Sequence, residues 1–483
     1  MRKQVLSYLT LLIAFGIGIA ATLQLGTRLH PGDGLAGQAI SFAPAAAEPP
    51  PSVGRGAPAA LLRQLHEPLS ILLLQVIVVI ATSRAVGLLF RRVGQPAVVG
   101  EMFAGILLGP SLLGALAPGV EAFMFPPASM GTLKLLSQIG VILFMFGVGI
   151  ELDLRSLRSR AHAAVLVSHA SILVPFFLGT AFSLLAFDSL ASPRVGFEAF
   201  GLFMGISMSI TAFPVLARIL EERGLTRSHL GATAIACAAV DDVTAWCVLA
   251  MVISIVKADA AGAAWLTILL AAAFIVVMLL VVKPRAARLL RPASGNGPRS
   301  GTVVLGVLTF VLASAWTTEA IGIHALFGAF LAGVAMPEDS GLRAFLKERI
   351  ESFGSLFLLP LFFVFTGLRT EIGLLDDRAS WLLCAGIVGI AIAGKLGGSM
   401  LAARWTGMSW HESAGLGILM NTRGLMELIV LNIGYDLGIL SPRVFTMMIV
   451  MALATTFMTG PLLSLLELAK RREAVGGGLL KQR

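Results

Sequence analysis

The sequence predicts an all-α polytopic membrane protein of about 13 transmembrane helices in two inverted repeats with crossed, unwound helices, plus one extra N-terminal helix or a signal peptide. Three observations carry this. The 483 residues are 57% hydrophobic and only 13% charged, with a mean hydropathy of +0.89, whereas soluble domains carry about 25% charged residues. Long apolar runs alternate with short loops in which basic residues gather on one side. Two helix-length patterns recur at similar offsets. The net charge of +9 resides in those loops, where it orients helices in a membrane, so nucleic acid is not an expected partner.

At the N-terminus, Arg2 and Lys3 precede an apolar run from Val5 to Leu25. The Ala-x-Ala pattern at Ala45–Ala47 would suit a signal peptidase, but the run is long for a signal sequence. Residues 1–25 are therefore either a signal peptide or a retained transmembrane helix. Residues 26–67, rich in Pro, Ala and Gly, read as an extracytoplasmic linker, residues 68–468 as the transmembrane domain, and residues 469–483 as a short cytoplasmic tail.

From residue 69, thirteen spans have cores at about 69–90, 96–116, 132–150, 161–186, 197–220, 229–256, 262–282, 301–316, 319–336, 352–368, 380–403, 413–435 and 443–467. If the first begins outside, the inward loops and tail collect 23 basic residues, against six outside: Lys134, Arg194, Lys257, Arg369, Arg378 and Arg443. This asymmetry fits the positive-inside rule loop by loop. Cys237, Cys247 and Cys384 all fall within spans. The first two lie about 15 Å apart along one helix, too far for a disulfide, and read as small core residues.

Met102, Phe103, Leu107 and Gly109 recur as Leu326, Phe327, Leu331 and Gly333 at an offset of 224. Leu143, Phe144, Gly149 and Ile150 recur as Leu361, Phe362, Gly367 and Leu368 at an offset of 218. These echoes pair span 2 with span 9 and span 3 with span 10. A shift of seven helices is odd, so partners run in opposite directions, as in the inverted repeats of many secondary transporters.

The same shift pairs spans 5 and 12, and both contain helix-breaking sequence. Span 5 has SMSITAFPVLARIL with Thr211 and Pro214; span 12 has Asn421-Thr422-Arg423-Gly424. Proline removes a backbone donor, and Thr, Asn and Gly support unwound backbone where it lines a cavity. Broken helices near mid-membrane offer free carbonyls and half-helix ends for ion coordination.

Asp241 and Asp242 sit in the otherwise apolar sixth span. One carboxylate at bilayer depth costs roughly 2.5–3.5 kcal/mol on insertion scales, and adjacent carboxylates repel. Packing alone does not need this, so the pair marks a site handling protons or cations. The two side chains point about 100° apart and can face different partners. Lys395, deep in span 11, needs a counter-ion, and Asp241 or Asp242 is the natural one. Arg423 and Glu427, spaced i, i+4, share a helix face and form either a self-satisfied ion pair or part of the ion site. His324 in span 9 reads as structural, and Glu101 as a snorkelling residue at the inner end of span 2.

The segments SITAFPVLARIL (209–220), AAVDDVTAW (238–246), LFFVFTGLRTEI (361–372) and MNTRGLMELIVLNIG (420–434) resemble the cation/proton antiporter 2 group of monovalent cation:proton antiporters. The last is especially similar to the plant cation/proton exchanger-like branch. The resemblance covers roughly residues 69–468. It implies a core domain with two crossed, unwound helices, a separate dimerisation domain, a homodimer, and elevator-like alternating access in the cytoplasmic membrane. It assigns Asp242 as the cation- and proton-binding carboxylate, Asp241 as its companion in electrogenic members, Lys395 as the basic residue opposite, and Thr211 and Thr422 as marks of the two breaks. It also suggests two protons per cation, with no cofactor. The chain ends soon after Lys470, so gating by nucleotide or glutathione through an appended domain is not expected.

The function expected is exchange of Na⁺ or K⁺ for protons, not enzymatic catalysis. A cation channel on the same fold is the alternative, distinguished by flux without obligatory proton counterflow. An intramembrane aspartyl protease, which needs its aspartates on different helices, does not fit two neighbours on one helix.

Overall fold

The computed structural model describes residues 2–30, 67–151, 161–193, 195–226, 228–257, 261–290, 301–351 and 353–480. Every regular element among them is helical. Helix α1 (Arg2–Leu29) runs beyond the expected end at residue 25. It packs along α5 (Ala161–Leu190) and α6 (Phe197–Ser209), with Tyr8 edge-on to His169 and Phe15 edge-on to Phe177. The Ala45–Ala47 pattern and most of the linker lie outside the described residues.

Among the described residues, the remaining α-helices of eight residues or more are α2 (Pro68–Arg92), α3 (Ala97–Leu108), α4 (Pro127–Glu151), α7 (Phe213–Glu222), α8 (His229–Lys257) and α9 (Ala261–Val277) in the first part of the chain. There follow α10 (Gly301–Ile321), α11 (Ala325–Val334), α12 (Leu359–Leu368), α13 (Arg378–Ile392), α14 (Gly398–Trp405), α15 (Trp410–Met420), α16 (Leu425–Asp436) and α17 (Pro442–Leu480). Among the described residues, twelve helical spans, α1 among them, are long and apolar enough to cross a membrane, and α15 with α16 form a further span bent by 43°. With the short α11, each of the thirteen runs beyond residue 68 finds its helix.

Two boundaries differ from expectation. Span 8 continues to Ile321 and span 9 shrinks to ten residues, about 15 Å of helix. The separating turn needs Gly322 at φ +94°, a left-handed conformation open to glycine. Glu319 accepts from the Ala325 N–H at 2.8 Å, and His324 is the N-cap of α11, its Nδ1 accepting from the Leu326 N–H at 3.4 Å. Hydropathy alone ran through this polar turn. The last helix continues through most of the expected tail, to Leu480.

The helices sort into two bundles. One joins α2, α3, α4, α10, α11 and α12; the other joins α5–α8 and α13–α17, with α1 on its flank and α9 linking the two. The first bundle carries the repeat in its packing: α3 packs against α12, and α11 against α4. Exchanging span 2 with 9 and span 3 with 10 turns one contact into the other, as a pseudo-twofold relation requires. Glycines at the echo positions permit both approaches. A Cβ on Gly333 would lie 2.8 Å from the Gly149 Cα, and one on Gly367 would lie 2.6 Å from the Met102 carbonyl oxygen.

Candidate functional site

The second bundle is organised around two interruptions. Span 5 is α6, an extended stretch at residues 210–212, then α7; span 12 is α15, residues 421–424, then α16. Pro214 falls in the first turn of α7, where a missing N–H costs nothing. It starts the second half-helix and does not kink a continuous one. The breaks touch: the Ala212 N–H donates to the Thr422 carbonyl at 3.0 Å, and Thr211 Oγ1 donates to the Met420 carbonyl at 3.2 Å. Thr422 Oγ1 donates back to Leu419 O at 2.6 Å. Asn421 is buried beside Met458, its Oδ1 without a hydrogen bond among the described residues.

The broken end of α6 exposes carbonyls that a continuous helix would have paired. Arg423 donates to Ser207 O at 3.0 Å and Met208 O at 2.7 Å, and Lys395 donates to Ser209 O. Two cations at the negative end of a helix dipole suit its electrostatics. Lys395 comes from a π-helical turn, Ala393–Gly397, a local widening often found at functional sites.

Lys395 Nζ also meets Asp241 Oδ2 at 2.9 Å and Ser171 O at 3.1 Å. The other oxygen of Asp241 accepts from Ser168 Oγ at 3.4 Å and Ser171 Oγ at 3.3 Å. These two serines escaped the sequence reading. Their signal was present: spaced i, i+3 within an apolar run, they share one helix face. Asp241 is thus the partner of Lys395 and is fully supplied with donors.

Asp242 is 2% exposed, and neither of its oxygens makes a hydrogen bond among the described residues. One turn along α8, Trp246 packs 6.5 Å from the Phe327 ring of α11, so this face of α8 looks toward the other bundle.

Arg423 and Glu427 form the expected i, i+4 ion pair at 3.3 Å, both fully buried. Thr456 on α17, also unforeseen, holds Arg423 from both sides of its backbone, accepting from its N–H at 3.0 Å and donating to its carbonyl at 2.8 Å. His324 and Glu101 stand outside this network; Glu101, partly buried at the start of α3, lies in the field of Arg84, Arg218 and Arg91. Cys237 and Cys384 are buried as expected, but Cys247 is exposed on the surface of α8; all three are free thiols.

Among the described residues, the buried charged side chains are Asp241, Asp242, Lys395, Arg423 and Glu427. All five belong to this crossing. With every group charged, three carboxylates face two cations, each cation is paired with a carboxylate, and Asp242 is left over.

The sodium/hydrogen exchanger transmembrane family matches residues 77–467. The Na⁺/H⁺ antiporter NhaS4 of Synechocystis is 44% identical over 399 residues, covering 82% of this chain and 96% of the relative. Cation/H⁺ antiporter 17 of Arabidopsis thaliana is 39% identical, and K⁺/H⁺ antiporter 1 of Saccharomyces cerevisiae 31%; the chain spans 48% of the length of each. The sodium proton antiporter MjNhaP1 of Methanocaldococcus jannaschii shares the fold with a TM-score of 0.60 at 15% identity, covering 82% of this chain and 96% of that one. The chain belongs to the sodium/hydrogen exchanger family.

Proposed function

We propose that the protein exchanges a monovalent cation, Na⁺ or K⁺, for protons across the cytoplasmic membrane, with Asp242 as the carboxylate both occupants share. The observation that carries this is the unmatched charge at the crossing. A bare carboxylate at this depth is expensive, so Asp242 needs either a proton or a cation, and one occupant leaves before the other enters. The same expense suppresses return of the empty carrier, which makes exchange obligatory. The relatives' names support the reading: they include Na⁺/H⁺, K⁺/H⁺ and cation/H⁺ antiporters. Membership of this family makes the chain a transporter, not an enzyme.

Thr211, Asn421 and Thr422 bring hydroxyl, amide and carbonyl oxygens to the crossing, the ligand chemistry of hard monovalent cations. Asp241, neutralised by Lys395, is the charge-balancing neighbour, and exchange of two protons per cation follows from the resemblance. A homodimer is part of the same reading. Reconstituted protein should collapse an imposed pH gradient on addition of Na⁺ or K⁺, and Asp242→Asn should abolish this. Near-normal exchange in that variant removes Asp242 from the mechanism. Cation flux without proton counterflow points to a channel, and indifference to an imposed voltage removes the two-proton stoichiometry.

A further inference from the structure

Half-helix α16 begins at the crossing and ends, about 18 Å away, at Asp436, where its charge opposes the helix dipole. The other bundle supplies the compensation. Arg369, the C-cap of α12, donates to Asp436 Oδ1 at 2.9 Å and to Asn432 Oδ1 at 3.0 Å. Lys134 of α4 meets Asp436 Oδ2 at 2.8 Å, and Asn432 Nδ2 donates to Thr366 Oγ1 of α12 at 2.9 Å. The Arg369 guanidinium lies over Phe365 of α12 and Tyr435 of α16. The element that forms one wall of the ion site is therefore gripped by the facing bundle at its far end. Basic-residue distribution places that end outside.

The internal repeat adds a counterpart. The offset of 218 that aligns spans 3 and 10 carries Glu151 onto Arg369. In the paired broken span, α7 ends at Glu222 with Arg223 as its C-cap, one residue beyond the position at which α16 carries Asp436. At the outer end the facing bundle offers a cation to an acid; at the inner end it would offer an acid to a cation. Only the outer pair is made here. Glu151 is bound by Lys347, and Arg223 donates to Gly460 O at 2.8 Å and Ser464 Oγ at 3.1 Å within its own bundle.

We propose that Asp436, held by Arg369 and Lys134, is the positioning residue that keeps the ion site turned away from the outer face, and that Glu151 and Arg223 form the charge-reversed pair that holds it in the opposite orientation. The inference rests on the exchange reading above. Its energetics suit a carrier. The side chains are 17–31% exposed, so solvent weakens each outer pair, leaving enough to bias a two-state equilibrium without freezing it.

The test compares Asp436→Asn and Glu151→Gln with the parent, using the full chain in oriented proteoliposomes. Asp436→Asn should lower the apparent KM for Na⁺ at the outer face by about five-fold and raise it at the inner face. Glu151→Gln should shift both in the reverse sense. Equal change at both faces, or a loss of Vmax alone, assigns these residues a merely structural role and overturns the proposal. A second readout needs no transport. With the native cysteines replaced, Thr366→Cys, buried beneath the grip, should react several-fold faster with an impermeant thiol reagent from outside once Asp436→Asn is added. Unchanged labelling overturns the proposal even if exchange itself fails, and faster labelling without exchange overturns only the functional reading.

Discussion

Lys395 and Asp241 form an ion pair at 2.9 Å with neither side chain exposed, while Asp242, the next residue, has no such partner among the described residues. The helical rotation of about 100° between neighbours separates them: one carboxylate is bound into the bundle through Lys395, Ser168 and Ser171, and the other is left toward the facing bundle. On the proposed reading, a structural role falls to Asp241 and the carrier role to Asp242, adjacent residues of the same type.

Removing one member of that pair should be worse than removing both. Lys395→Ala leaves a buried carboxylate without its cation, a loss of about 3–5 kcal/mol. Adding Asp241→Asn to Lys395→Ala should recover much of it, because no stranded charge remains. Thermal unfolding in detergent measures this directly. A double variant no more stable than Lys395→Ala would show that the ion pair is not what holds these helices.

Much of this was legible in sequence because a membrane makes polarity expensive. Asp241, Asp242, Lys395, Arg423 and Glu427 stood out as charges in apolar runs, and each lies in the crossing. The i, i+4 pair and the two breaks followed from local rules. What hydropathy did not show were features of low contrast. Ser168, Ser171 and Thr456 are tolerated anywhere in a membrane helix, so their hydrogen bonds emerge only when helices distant in sequence are brought together. The turn at Gly322 is too short to interrupt a hydropathy window, and Pro214 looks the same in sequence whether it kinks a helix or starts one.

The repeat predicts a steric sensitivity. Gly149→Ala places a methyl against the Phe330 carbonyl of the facing helix, backbone that cannot rotate away. Overpacking of this kind costs about 1–3 kcal/mol. Gly389→Ala, on α13 with open space around it, should be neutral or stabilise by up to about 1 kcal/mol through helix propensity. Melting temperatures of the two variants give the comparison, and similar values would argue against the close α4–α11 contact.

Outside the membrane, Asp377 caps α13. Hydrogen bonds from Ser380, assisted by Arg443, hold its carboxyl below the ordinary carboxylate range. A lowered folded-state value means the stabilisation is present above the unfolded value of about 3.9 and is lost as pH falls through the folded one. Asp377→Asn should therefore be less stable than the parent near neutral pH, with the difference closing below about pH 4. Parallel melting curves across pH 3–7 check this; a gap that widens on acidification contradicts the assignment.

Thr456 offers the sharpest separation of site geometry from site charge. Its hydroxyl serves both the N–H and the carbonyl of Arg423, fixing the unwound segment without contributing charge. Thr456→Val keeps the volume and removes both bonds, leaving buried backbone groups unpaired at a cost of about 1–3 kcal/mol. Thr456→Ser keeps the hydroxyl and should restore them. If the segment shapes the cation site, Val should raise the apparent KM for the cation more than it lowers Vmax, and Ser should return KM toward the parent value. Equal KM values for parent and Val, with stability alone reduced, would place Thr456 in the packing of α17 and not in the support of the crossing.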